Sequence, residues 1–356
     1  MSALRLHIVT GKGGTGKTTV ASALALALAR QGKRVLLTEV EGRQGISQTF
    51  DIAPLSTEEE VRILADRSGG ELYGLSVDAK PALLEYLQKF YHLGRAGAML
   101  ERFGAIDFAT TIAPGVRDVL LIGKVYEAAG RRQERSGELV YDAVVLDAPP
   151  TGRVVRFLNV NAEVADVARV GPIRGQADSI TRMLRHGSTA VHMVTLLEEM
   201  PVQETVDTLA ELRRVSLRPG VVFVNQVREP LLADTFLAAA GTGRTGKVST
   251  GISRDLRSAG IGATSAMVSG LIAEAAEHAD RVALQREQEE VVAGLSLPVV
   301  RLPALAEGME GGGIRVLADD IRDQLLGDQV PRSQVSGSQV SGSQSRAGQG
   351  RAGGRR

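Results

Sequence analysis

The stretch that decides the fold is Gly11-Lys12-Gly13-Gly14-Thr15-Gly16-Lys17-Thr18-Thr19. It fits the pattern G-x-x-x-x-G-K-[ST] of a phosphate-binding loop, in which glycines turn successive backbone N–H groups toward phosphate oxygens. A short apolar run, Leu4–Thr10, precedes it and predicts a buried strand. Helix-forming residues follow over Thr18–Arg30 and stop before Gly32. A glycine-rich turn without a ligand is the alternative, and the flanking strand and helix argue against it.

The polar side chains of the loop have predicted roles. Lys17 is predicted to bridge the β- and γ-phosphates of a nucleotide, and the Thr18 hydroxyl to ligate Mg²⁺. Thr19 is predicted to contact the α-phosphate. Asp147 ends another apolar strand, Tyr141–Asp147, where a carboxylate would face Mg²⁺ through a water molecule. An aspartate that only caps the next turn is the alternative.

Other apolar runs predict four more strands: Arg34–Thr38, Ala190–Thr195, Val221–Val224 and Val299–Leu302. Strands that alternate with helical stretches predict an α/β fold with a mostly parallel sheet flanked by helices. Two stretches, about 80–135 and about 156–187, have helical spacing and predict a helical subdomain inserted into this sheet domain, which is predicted to span 1–327.

Charge and composition separate the last residues from the rest of the chain. Of the 356 residues 43% are hydrophobic, which is enough to bury a core. Residues 328–356 are rich in Gly, Ser, Gln and Arg, carry a net charge of +4 and are predicted to be a disordered tail. The remainder carries −3, so nucleic acid is not an expected partner.

The chain contains no Cys, which excludes disulfides, thiolate metal sites and Cys nucleophiles. The most apolar segment, Val20–Ala29, is too short to span a bilayer, and no signal-peptide pattern is read at the N-terminus. The expected location is the cytoplasm, with peripheral association with a membrane as the alternative. His7 is predicted to be a core or strand-edge residue, and the histidines show no metal-ligand spacing.

Several motifs together resemble a known family. Lys12 resembles the signature lysine of the deviant Walker group, which includes arsenite-pump ATPases and tail-anchored-protein targeting factors. Asp147–Arg153, with the sequence DAPPTGR, resembles the DTAPTGH switch II of that branch. Asn225 resembles its adenine-contacting Asn, and Pro303 begins a segment that resembles its nucleotide-edge loop. Helical-region patterns are matched by Ile112–Asp118 and Glu198–Thr205.

The resemblance implies a P-loop NTPase fold with ATP and Mg²⁺ as cofactors. It also implies a homodimer, or a heterodimer with a paralogue, that opens and closes with nucleotide state, with Lys12 reaching the partner's nucleotide. Thr18 and, through water, Asp147 would hold the metal. The nucleotide-binding set it implies is Gly11, Lys12, Gly13, Gly14, Thr15, Gly16, Lys17, Thr18, Thr19, Asn225 and Pro303.

One segment departs from the family. Glu39–Phe50 aligns with the switch I pattern S-T-D-P-A-H-x-L-S-D-x-F, so Glu41 replaces its first Asp and Gln48 replaces the Asp that activates the attacking water. A glutamine can orient water but cannot accept its proton as a carboxylate would. We therefore expect slow hydrolysis or reliance on a partner subunit, with the catalytic set being Lys12, Lys17, Asp147, Gln48 and Glu41. In an alternative alignment Asp51 or Glu41 takes the place of the missing Asp.

Three functions remain open. The first is an ATP-driven factor that handles a hydrophobic or tail-anchored membrane-protein client, with Leu83–Leu100, Met99–Phe108 and Met183–Leu184 lining a groove. These residues could equally pack the subdomain's own core. The second is the energising subunit of a membrane anion or solute transporter, and the third is a nucleotide-sensing regulatory subunit. Without Cys, neither a thiolate metalloid site nor a zinc clasp between subunits is available.

Overall fold

Eight strands form one sheet in the computed structural model, which describes residues 4–40, 42, 44–83, 85, 115–167, 172–233, 245–305 and 312–326. They are β1 Leu6–Gly11, β2 Arg34–Val40, β3 Val61–Ala65, β4 Glu71–Val77, β5 Ala143–Asp147, β6 Thr189–Thr195, β7 Pro219–Val227 and β8 Val299–Pro303. Their order across the sheet is β3-β4-β2-β5-β1-β6-β7-β8. Every neighbouring pair is parallel except β3 and β4, which are antiparallel. A parallel sheet collects the carboxyl ends of its strands at one edge, where ligands bind in such folds.

The connections between strands are mostly helical. The helices are α1 Lys17–Ala29, α2 Gly45–Phe50, α3 Val116–Gly130, α4 Thr151–Val167, α5 Pro172–Arg185, α6 Glu199–Arg214, α7 Thr245–Ser258, α8 Ser265–Ala293 and α9 Gly313–Ile321. A π-helical turn, Arg322–Leu326, continues α9, and residues 79–83 are also helical. None of the helices in the described part of the chain combines the length and the apolar character that a membrane crossing requires.

The helix behind the loop is buried on all sides. Val20–Ala29 are all buried, and they pack in one core with residues of the sheet. Small alanines let α1 lie close to the strands. The same core contains residues of α9, and an ion pair between Arg30 and Asp319 (2.8 Å) joins α1 to α9. Enclosure on both sides holds the beginning of α1 in a fixed place at the carboxyl edge.

The other face of the sheet is covered by α3, α4, α5 and α6. Phe157 of α4 and Leu184 of α5 are 1% and 2% exposed and belong to one core with strand residues such as Ile8. The described parts of the predicted helical subdomain therefore pack directly on the sheet. Met183 is partly buried against this core as well. Of the two alternatives for Met183–Leu184, a client groove or the protein's own core, the structure therefore shows packing in the core.

The predicted α/β class and all six predicted strands are confirmed, with ends that shift by up to three residues. Two strands were not predicted, Val61–Ala65 and Glu71–Val77. They form an antiparallel pair, with β3 as the outermost strand on one side of the sheet. The chain divides into the units Met1–Leu326 and Gly327–Arg356. The second unit lies outside the described residues, as does most of the stretch 84–114, so the disorder of the tail and the extent of the helical subdomain stay predictions.

Candidate nucleotide site

The loop between β1 and α1 lies at the carboxyl edge, at the end of a strand flanked by β5 and β6. Gly14 and Gly16 have φ values of 88° and 85°, the left-handed region that a side chain disfavours. A Cβ on Gly16 would overlap the Asn225 amide, and one on Gly11 would overlap the carbonyl of Val194. Beside Gly14, by contrast, a Cβ would meet no atom within 4 Å. The loop is thus closely supported from behind and open in front.

The N-terminus of α1 faces this opening. Its N-cap is Gly16, and no side chain caps it, so the first N–H groups of the helix have neither an intrahelical acceptor nor a cap. These groups carry the positive end of the helix dipole. Thr15 is 1% exposed, and its hydroxyl donates to the carbonyl of Lys12 (2.9 Å), which closes the turn. Thr19 is half-buried in the first turn of α1. Such an arrangement suits a phosphate anion.

Lys17 and Thr18 are the first two residues of α1, beside the glycine loop. The Lys17 ammonium donates to the carbonyl of Lys12 (3.4 Å), so it lies across its own loop. The Thr18 hydroxyl donates to a carboxylate oxygen of Asp147 (2.5 Å) on the adjacent strand β5. Because the hydroxyl proton points to Asp147, the lone pairs of Thr18 are available to a cation. Thr18, with Asp147 through water, would hold Mg²⁺, an ion that takes few protein ligands besides phosphates and water.

The predicted adenine-side residues lie on neighbouring strands. Asn225 of β7 is 6% exposed, and its amide donates to the carbonyl of Thr15 (2.9 Å). Pro303 ends β8, where it pairs with Val227 of β7. The structure thus brings both residues to the same edge as the loop, and Asn225 supports the loop itself. Contact with an adenine stays a prediction, and residues 306–311 of the following segment lie outside the described residues.

Lys12, the other lysine of the loop, points away from the cradle. It forms a short ion pair with Glu204 of α6, and the second oxygen of Glu204 accepts the hydroxyl of Thr151 (2.6 Å), the first residue of α4. Hydrogen bonds from Lys12 and then from Thr151 lower the pKa of the Glu204 carboxyl. Glu204 therefore joins the phosphate loop to the helix that follows the switch II motif.

Of the predicted water-activating residues, the structure describes Gln48 and Asp51 but not Glu41. Gln48 is exposed on α2, and Glu41 lies outside the described residues. Gln44 and Asp51 flank α2 with φ values of 55° and 51°, both in the left-handed region. Non-glycine residues held there cost of order 1–3 kcal/mol each and concentrate at functional segments. The Gln44 side chain exchanges two hydrogen bonds with the backbone of Leu55 (2.7 and 3.2 Å), which secures the turn.

Sequence reasoning missed two carboxylates at this edge, Glu39 and Glu204. Glu39 is the last residue but one of β2 and is 2% exposed. Its one signal in the sequence is that it is the only acidic residue in the otherwise largely apolar run Arg34–Val40. Glu204 lies in a helical stretch rich in acids, so its pairing with Lys12 has no signal in the sequence. Both residues touch the loops around the candidate site.

A buried histidine pair lies behind the loop in the centre of the sheet. Nδ1 of His192 accepts the N–H of Val221 (3.0 Å), so its Nε2 donates to Nδ1 of His7 (3.1 Å). Burial lowers the pKa of His7 to about 3 and, together with the neighbouring His7, holds that of His192 well below its ordinary value. Both rings are therefore neutral near pH 7. His7 is 0% exposed, so of the two predicted positions, core or strand edge, it takes the core.

Taken together, the sheet order, the glycine loop, the open helix N-terminus and the Lys17, Thr18 and Asp147 side chains define a P-loop nucleotide-binding protein of the α/β class. Within the described ranges, no group of three or more His, Asp or Glu side chains is placed to hold a metal ion. A metal here would therefore depend on phosphate and water as well as on Thr18 and Asp147.

Comparison with known proteins identifies the family. The model of the anion-transporting ATPase family matches residues 4–187. The chain is 44% identical over 324 residues to a Mycobacterium tuberculosis protein named ATPase BagA, with 91% of this chain and 94% of that protein covered. It is 26% identical over 247 residues to the arsenical pump-driving ATPase of Escherichia coli, with 65% and 41% covered. The chain belongs to the anion-transporting ATPase family, and the family resemblance expected from the motifs is confirmed.

Proposed function

We propose that this chain binds Mg-ATP in the loop Gly11–Thr19, hydrolyses it slowly, and uses the nucleotide to open and close a dimer that handles a hydrophobic protein client. Membership of an ATPase family implies nucleotide binding. The dimer, the client and the rate of hydrolysis are the parts that go beyond the match to the family model.

The observation that carries the proposal is the different direction of the two loop lysines. Lys17 lies across its own loop, in position for the phosphates of the nucleotide bound there. Lys12 extends outward to Glu204 and leaves that cradle open. A half-exposed ion pair of this kind contributes only about 0–1 kcal/mol, so it can be exchanged for a stronger contact. A phosphate of a nucleotide on a second subunit would provide such a contact.

Slow hydrolysis follows from the residues near α2. Hydrolysis joins a water oxygen to the γ-phosphorus and breaks the bond to the β–γ bridging oxygen, which leaves ADP and phosphate. The attacking water must also lose a proton, and Gln48 can orient that water but cannot take the proton. Another acceptor is needed, such as Glu41, Asp51 or a group of a partner subunit.

Two other functions remain as outcomes of the test. Relatives bear the name arsenical pump-driving ATPase, which would suggest a transporter's energising subunit, although this chain has no Cys for a thiolate metalloid site. The Gln48 substitution favours a nucleotide sensor that works beside an active paralogue. The segments 84 and 86–114, which carry most of the apolar residues of the predicted client groove, lie outside the described residues.

The test is turnover of Mg-ATP by the purified chain, combined with its mass in solution with ADP, with ATP and without nucleotide. We expect a dimer whose subunits associate most tightly with ATP, and turnover that is slow but measurable. Lys12→Ala should abolish both the tight ATP-bound dimer and turnover while ATP still binds, and Lys17→Ala should weaken ATP binding itself by roughly a hundredfold.

The outcomes separate the alternatives. A dimer with ATP but no turnover, with turnover restored by a paralogue from the same organism, would support the sensor. Copurification of an apolar transmembrane segment with the ATP-bound dimer would support the client. A chain that hydrolyses ATP as a monomer, with Lys12→Ala fully active, would overturn the proposal.

A further inference from the structure

Both oxygens of the Glu39 carboxylate accept hydrogen bonds near the end of the buried strand β2. One oxygen accepts the N–H of Gln44 (2.8 Å) and the hydroxyl of Ser76 (3.2 Å). The other oxygen accepts the N–H of Ile46 (3.2 Å). With 2% of its surface exposed, the side chain has little water around it, so these donors supply most of the stabilisation that an ionised carboxylate requires.

The two backbone groups that Glu39 holds lie on either side of Gly45, the first residue of α2. Gly45 lies against Thr18: a Cβ built on Gly45 would lie 3.0 Å from the Thr18 methyl carbon and 3.4 Å from its hydroxyl oxygen. Thr18 in turn donates to Asp147 (2.5 Å). A continuous series of contacts therefore runs from Glu39 through Gly45 to the side chain that would ligate the metal.

Strand pairing gives this series a rigid base. Glu39 pairs with Ser76 of β4 on one side and with Asp147 of β5 on the other. The carboxylate that holds α2 and the carboxylate that holds Thr18 thus extend from neighbouring positions of the same sheet edge. A shift of α2 away from Thr18 would have to break hydrogen bonds to a buried charge.

We infer that Glu39 is a positioning residue that fixes the start of α2 against Thr18, and thereby sets where the switch I segment, Glu39–Phe50, meets the γ-phosphate side of the nucleotide. The inference rests on the proposed Mg-ATP site and deepens it. The carboxylate of Glu39 contacts Gln44, Ile46 and Ser76, so it acts through Gly45 and the helix that carries Gln48. Its effect belongs to the hydrolytic step, since the loop that grips the phosphates is built without it.

Glu39→Gln is the sharpest variant, because it keeps the shape and removes the charge. Both carboxylate oxygens accept backbone N–H groups, so the NH₂ of a glutamine must face one of these donors. We expect the affinity for ATP to stay within about twofold and KM likewise, while kcat falls roughly tenfold to a hundredfold, the loss typical of a misplaced reacting group. Gly45→Ala should give the same split, because the new methyl group presses on Thr18.

Matched controls separate positioning from general stability. Ser76→Ala removes the hydroxyl contact of Glu39 and leaves both backbone contacts, so kcat should change by less than about threefold. Gly251→Ala adds a methyl group in α7, where a Cβ would meet nothing within 4 Å, and should change nothing. A Glu39→Gln protein with an unchanged kcat, or one whose kcat and ATP affinity fall in parallel with its melting temperature, would overturn the inference.

A second measurement does not depend on catalysis. In the nucleotide-free protein the amides of Gln44 and Ile46 should exchange with solvent deuterium slowly, and Glu39→Gln should speed both by about tenfold or more. Fast exchange of both amides in the unaltered chain would refute the anchor even if ATP is hydrolysed. If the anchor is seen but no ATP is bound, the proposed function fails while the contact stands.

Discussion

The carboxyl edge of the sheet, where the parallel strands end, differs in construction from the opposite edge, where they begin and which we call the amino edge. At the carboxyl edge the chain turns through glycines and through left-handed Gln44 and Asp51. At the amino edge, the Arg34 guanidinium lies over the rings of Tyr73 and Tyr141. Its Cζ is 4.9 Å from the first ring centroid and 5.7 Å from the second. Nearby, Arg131 pairs with Glu60 and Glu127, each at 2.7 Å. The carboxyl edge leaves backbone donors open at the start of α1, whereas the amino edge pairs its charges within the protein.

This contrast indicates a division of labour. At the amino edge, contacts of Tyr73 with Arg34 and Tyr141 join β2, β4 and the segment before β5, and the ion pair of Arg131 with Glu60 joins the end of α3 to the segment before β3. Strained or unsatisfied groups at the carboxyl edge can persist only because the surrounding structure holds them. Changes at the amino edge should therefore alter stability without altering nucleotide binding, and changes at the carboxyl edge should do the reverse.

Acid should unfold both edges together by charging the histidine pair between them. The pKa of each buried histidine lies below its unfolded value of about 6.5, so the unfolded chain binds protons first as the pH falls. Stability is then full above about pH 6.5 and declines toward pH 3, with a loss of about 2 kcal/mol at pH 5 from His7 and a further loss in the same direction from His192. Urea unfolding at pH 7.5 and pH 5, with probes at each edge, measures this.

Replacing both His7 and His192 by Gln should flatten that pH dependence. The exposed His186, replaced in the same way, serves as the control and should leave the profile unchanged. Transitions at different urea concentrations for the two edges would contradict a single cooperative sheet.

Lys17→Ala should have the next largest effect and should act on one edge only. Losing a charge-assisted contact to phosphate should weaken ATP binding by about 3 kcal/mol, which is roughly a hundredfold. The free energy of unfolding without nucleotide should change by less than about 1 kcal/mol, because the side chain is half-exposed. Titration calorimetry and urea unfolding measure the two quantities. Lys33→Ala, at the amino edge, is the matched control and should leave the affinity unchanged.

Much of the carboxyl edge could be predicted from the sequence because its rules are local. A glycine loop between a strand and a helix has a fixed spacing, and Asp147 follows directly from an apolar run. The contacts of Glu39 and Glu204, and the pairing of His7 with His192, join residues far apart in sequence and leave no periodic pattern. In the strand Glu71–Val77, which was not predicted, Gly74 interrupts the sequence pattern typical of a strand. A Cβ at Gly74 would press on the side chains of Leu55 and Ile63.

Arg131→Met tests the amino edge. The side chain is 27% exposed and Glu60 is 22% exposed, so removing the arginine takes a cation away from the partly buried carboxylates of Glu60 and Glu127. We expect a loss of about 2 kcal/mol in the free energy of unfolding and no change in ATP affinity. A double-mutant cycle with Glu60→Gln should show that the two residues are coupled. A hundredfold loss of ATP affinity in Arg131→Met would contradict the claim that changes at the amino edge leave nucleotide binding unaltered.

The smallest expected effect concerns Lys12, which the carboxyl edge holds only weakly. Glu204→Gln removes the charge that attracts Lys12, and an exposed pair of this kind contributes up to about 1 kcal/mol. If Lys12 must leave Glu204 to reach a partner's nucleotide, the dissociation constant of the ATP-bound dimer should fall about two- to fivefold. Sedimentation of the variant beside Glu211→Gln, an exposed acid on the same helix, measures the shift. A weaker dimer in Glu204→Gln alone would instead show that Glu204 keeps Lys12 in its productive direction, so that the carboxyl edge is organised before the nucleotide arrives.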